Sequence, residues 1–79
     1  MDDLTLEIIM AERERQDNKW GAERMLDDHV WLTILTEEAG EAAEGILKRI
    51  PIDDLEKEVV QIAAVAVAWI ECLESKKGY

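Results

Sequence analysis

Apolar residues fall at helical spacing in three stretches that account for nearly all of the chain, and their limits are set by glycine, proline and charge. The first helix is expected from about Asp3 to Asn18, with Leu4, Ile8 and Ala11 on one face; the run Glu12-Arg13-Glu14-Arg15 then carries it into solvent, and Gly21 lies beyond its end. The second is expected to begin after Asp28, whose carboxylate can accept from free N–H groups of the first turn. It continues to about Arg49, where Lys48 and Arg49 suit the negative end of its dipole and Pro51 stops it. The third is expected to start at Asp53, with Glu56 as capping-box partner, and to end near Lys76 and Lys77. The short link at Pro51 makes the last two helices an antiparallel hairpin.

From Val59 to Ile70 the third helix is apolar around most of its circumference, and such a helix needs cover on every side. Two other helices can hardly provide it, since a domain this small buries only about 60% of its unfolded surface. The expected architecture is therefore all-α: an antiparallel helical hairpin plus an N-terminal helix, completing a four-helix or larger bundle by oligomerisation as a homodimer or homotetramer. Repeats, low-complexity tracts and linkers are absent, so residues 1–79 read as a single helical domain.

Charge narrows the partners. Nineteen acidic residues against nine basic ones leave a net charge of -10, which argues against nucleic acid as a partner because phosphate binding needs clustered Lys and Arg. Cys72 is the sole cysteine, no export signal is seen, and the apolar run is too short to span a membrane; a cytoplasmic location is the expectation.

The acidic residues are not all where a solvated face would put them. The buried stripe Trp31, Ile34, Leu35 of the second helix runs on to Glu38 and then to Glu41 or Ala42, so Glu38 and Glu41 interrupt positions that should be apolar. In the third helix Glu58 and Gln61, one turn apart, lie within or at the edge of the hydrophobic stretch. A hairpin turning near Pro51 would bring Glu41 opposite Gln61 and Glu44 close to Glu58. Carboxylates that meet inside a bundle cannot all stay ionised without a positive charge between them. An all-oxygen set suits Mg2+, with Mn2+ possible, better than zinc, and His29 is too far along the helix to join it.

These residues carry a resemblance. Glu37-Glu38-Ala39-Gly40-Glu41, followed after sixteen residues by Glu58-Val59-Val60-Gln61, resembles the EExxE and ExxD signature of the MazG-like all-alpha nucleoside triphosphate pyrophosphohydrolases. The segments from Glu12 to Gly21 and from Ile62 to Trp69 resemble a short subgroup found in bacteria and phages. The resemblance implies cleavage of a nucleoside triphosphate between its α and β phosphates, giving the monophosphate and pyrophosphate. Carried over by position, the magnesium ligands would be Glu38, Glu41, Glu58 and Gln61, and Glu37 would polarise the water or steady a ligand. Gln61 stands where the family has Asp, which implies weaker magnesium affinity or fewer metals. Val65 replaces a tyrosine of some relatives, and a helix of the longer members is missing, so a partner subunit would supply some substrate contacts.

Among the remaining residues, Lys19 and Trp20 can meet a phosphate and stack on a base, or Trp20 can cap the open end of the bundle. Arg15 and Gln16 can reach substrate if the first helix borders the pocket, against the plainer reading of a solvated helix end. Trp31 and Trp69 read as core, His29 as a surface residue and Cys72 as packing volume. Two alternatives to the pyrophosphohydrolase stand: a non-catalytic interaction module with a degenerate metal site, favoured by Gln61, and a dUTP-hydrolysing relative.

Overall fold

The computed structural model describes residues 1–78 and contains three α-helices: α1 (Asp3–Trp20), α2 (Asp28–Leu47) and α3 (Ile52–Lys76). Among the described residues there is no strand, and no helix is long and apolar enough to cross a membrane. The expected hairpin is present in α2 and α3. α1 and α2 each pack on α3 and not on one another, so α3 is the central element.

Local chemistry explains the boundaries, and several differ from expectation. Asp2 caps α1 by accepting from the Leu4 amide at 2.9 Å, and Gly21, at φ 95°, closes the other end by donating to the Asp17 carbonyl at 2.8 Å. Asp28 is not the cap of α2. It is the first helical residue, and its carboxylate accepts from the Trp69 indole at 3.0 Å, with Lys76 at 3.7 Å, tying the start of α2 to the end of α3. Nor does Asp53 form a capping box with Glu56, because α3 starts at Ile52 after Pro51 and takes no side-chain cap. Asp53 and Asp54 instead place negative charge in the first turn, where the dipole favours it.

The hairpin reverses through a Schellman motif. The Ile50 amide donates to the Gly45 carbonyl and the Arg49 amide to that of Ile46, both at 3.1 Å, with Arg49 left-handed at φ 55°. Ile50 folds back so closely on Gly45 that a Cβ there would lie 2.6 Å from its Cδ1. The reversal is thus centred on Arg49 and Ile50, ahead of Pro51, and this shifts the register between α2 and α3.

The core is small. Trp31, Val65, Ala68 and Cys72 are buried, and Leu26, Ile34, Leu35 and Trp69 pack around them. The face of α1 on α3 is not Leu4, Ile8 and Ala11, all of which are exposed. It carries Ile9, Glu12, Arg13 and Gln16, spaced at i, i+3, i+4 and i+7. Arg13 is buried against Asp17, at 2.9 Å, and Glu71, so the charged run continues along the interface. α3 is not covered on all sides: Val59 and Ile70 are more than half exposed, at 52% and 56%.

Candidate metal centre

Glu38 and Glu41 share a face of α2 one turn apart, and Glu58 reaches the same place from the first turns of α3. Each offers one carboxylate oxygen, and the three oxygens lie within 4.8 Å of one another. The early reversal explains the pairing. It sets Glu41 against Glu58, where a turn at Pro51 would have set it against Gln61, and it leaves Glu44 on the surface, bonded to Lys48 at 2.6 Å.

The electrostatics are those of unsatisfied acids. Glu38 and Glu58 are half-buried, and in each the Oε2 atom is buried with no hydrogen-bond partner. Burial raises the Glu38 carboxyl above its ordinary range; Glu41, Glu58 and Glu12 raise it further, against a smaller opposing pull from Arg15. Oxygens bound to one magnesium at about 2.1 Å are at most about 4.2 Å apart. Three ligands on one octahedral ion include pairs only about 3 Å apart, so side-chain rotation must draw the carboxylates inward for the three to share a divalent ion, and the all-oxygen donor set fits a hard cation.

Gln61 is half-buried one turn beyond Glu58, and its backbone carbonyl accepts from Gln16 Nε2 at 3.5 Å. It lines a groove between α1 and α3 together with Glu12 and Arg15. Glu37 is exposed on α2 and stands outside the three clustered carboxylates. Lys19 and Trp20 are exposed at the end of α1, with the ammonium 4.6 Å from the ring centroid.

Gln16 is not on a solvated helix end. It is 1% exposed and donates to Glu12 at 3.0 Å. Glu12 in turn holds Arg15 through two bonds of 2.8 and 2.7 Å, and this pairing with Arg15, more than the bond from Gln16, keeps its carboxyl below the ordinary range despite burial. Sequence reasoning passed over Glu12 as part of a charged run. Its signal was the i, i+4 spacing to Gln16, which puts both on the face of α1 that meets α3. No family model, curated protein or solved structure matches the chain.

Proposed function

We propose that the chain is a magnesium-dependent nucleoside triphosphate pyrophosphohydrolase, converting a (d)NTP and water to the (d)NMP and pyrophosphate. The observation that carries this reading is the convergence of Glu38, Glu41 and Glu58 from two facing helices on one spot, with two buried carboxylate oxygens left without a donor. Glu38, Glu41 and Glu58 hold the ion, and Gln61 is the proposed neutral fourth ligand. Magnesium supplies charge neutralisation for the triphosphate and lowers the proton affinity of water. Water attacks the α-phosphorus, the bond to the α–β bridging oxygen breaks, and its electron pair leaves with pyrophosphate. Glu37, exposed on α2 next to Glu38 in sequence, is the proposed group that polarises the attacking water or steadies a ligand.

A homodimer or homotetramer belongs to the same proposal. Leu32, Ile46, Ile52, Val59 and Ile70 are exposed apolar side chains on the hairpin, and a second copy would cover them. The amide of Gln61 favours one competing reading, an interaction module that keeps the carboxylates but turns nothing over.

The test is pyrophosphate release from a panel of ribo- and deoxynucleoside triphosphates, with and without magnesium, alongside magnesium titration by calorimetry. Release that requires magnesium supports the enzyme. A protein that binds no magnesium and releases nothing is the module.

A further inference from the structure

Beside the clustered carboxylates of Glu38, Glu41 and Glu58 stands a cation that does not pair with them. Arg15 is exposed on α1, where it lines the groove with Gln61 and Val60 of α3. Its charge is felt across that groove: burial, Glu41, Glu58 and Glu12 raise the Glu38 carboxyl, and Arg15 opposes them. A long, flexible guanidinium within reach of a carboxylate that lacks a donor is expected to close on it as a charge-assisted pair. Here Glu38 Oε2 and Glu58 Oε2 stay buried and unpartnered, and Glu12 supplies the reason.

Glu12 grips Arg15 at two points. Its Oε1 accepts from Arg15 Nε at 2.8 Å and its Oε2 from Arg15 Nη2 at 2.7 Å, the fork-on-carboxylate geometry that fixes a guanidinium in place. The holder is itself held. Glu12 Oε2 also accepts from Gln16 Nε2 at 3.0 Å, and the same nitrogen reaches the Gln61 backbone carbonyl at 3.5 Å. Gln16 is only 1% exposed, so this amide is a buried brace between α1 and the turn of α3 that carries Glu58 and Gln61. Both oxygens of Glu12 are engaged by donors, which leaves it outside the ligand set. We infer that Glu12 is a positioning residue of the metal centre: braced by Gln16, it holds the Arg15 guanidinium off Glu38 and keeps the three carboxylates open for a divalent ion. The inference rests on the metal centre proposed above. Glu12 touches neither ion nor substrate and acts through Arg15. Once the grip is released, Arg15 closes on Glu38, and an ion must displace the chain's own cation before it binds.

A double-mutant cycle read by magnesium calorimetry tests this role. Glu12→Ala is expected to weaken binding by roughly tenfold or more, and Arg15→Ala added to it to restore affinity to within about threefold of the parent. Arg15→Ala by itself, where the guanidinium is already held away, is expected to change affinity by less than about threefold. If Glu12 and Arg15 act only as an ordinary helical ion pair near the site, removing Arg15 brings the same gain in both backgrounds. Equal gains overturn the inference and leave the metal centre standing, whereas a parent that binds no magnesium overturns the metal centre itself. A second measurement uses the metal-free proteins. Glu38→Gln is expected to raise the melting temperature of the parent by removing repulsion, and to lower that of Glu12→Ala by removing the new partner of Arg15. Reversal of sign supports the inference even if no triphosphate is hydrolysed; a rise in both backgrounds overturns it. Glu12→Gln, which loosens the grip without opening a cavity, replaces Glu12→Ala in both measurements if the alanine variant does not fold.

Discussion

Glu12 and Glu38 are neighbouring glutamates in opposite situations. Glu12 is enclosed by donors: Arg15 grips it twice, Gln16 once, and its proton affinity falls. Glu38 stands among other acids with a buried oxygen that nothing donates to, and its proton affinity rises. The same contrast separates the Arg13–Asp17–Glu71 network, closed by cation and anions, from the Glu38–Glu41–Glu58 group. A carboxylate supplied with partners holds the fold together. One left without them carries a cost that a ligand can relieve.

Replacing Glu38 with Gln is the sharpest way to break this comparison, because function and stability should move in opposite directions. If Glu38 holds the ion as proposed, loss of its charge is expected to lower magnesium-dependent kcat/KM by about 100-fold or more, while removal of the repulsion raises the melting temperature of the metal-free protein. If both fall together, Glu38 is a structural residue like Glu12. Arg13→Ala probes the other region. It removes both bonds and the buried stem of the side chain, and urea unfolding should show a loss of about 2 kcal/mol. A change within about 0.5 kcal/mol would make the network no more than surface decoration. Gln61→Asp is a smaller step, adding one charge to the acidic side: magnesium half-saturation should tighten by roughly tenfold, and the metal-free protein should melt lower. Unchanged half-saturation would remove Gln61 from the ligand set.

How far the chain revealed itself in advance follows the same division. The hairpin was legible because Trp31, Ile34, Leu35 and the run after Val59 mark buried faces, and because no helix runs on through Pro51. Glu38 and Glu58 were legible as acids on or beside those faces. The register was not, since it depends on Arg49 taking a left-handed conformation that nothing in an arginine announces. Nor was the interface of α1. Arg13 and Gln16 are buried only because Glu71 and the Gln61 carbonyl, far away in sequence, receive their N–H groups. Periodicity locates apolar faces, but a polar face becomes buried through partners that only the folded chain brings near.

The smallest expected effect concerns pH, and its sign separates the two glutamates. In the metal-free protein Glu38 titrates above its ordinary 4.5, through burial first and then Glu41, Glu58 and Glu12. Between the unfolded and folded values the native state keeps a proton that the unfolded chain has released, so this contribution to stability declines as pH rises through that window. Glu12 is depressed by Arg15, so its contribution is present above 4.5 and is lost as pH falls through its folded value. Glu38→Gln cancels the first contribution and leaves the second. The melting-temperature advantage of that variant should therefore be small near pH 4.5 and should grow as the solution is brought towards neutrality. Magnesium should reverse the trend in the parent protein, because the ion favours the ionised carboxylates and its affinity increases with pH. An advantage that stays constant across the range would show that the Glu38 charge is as well compensated as that of Glu12, and the distinction between the two regions would be lost.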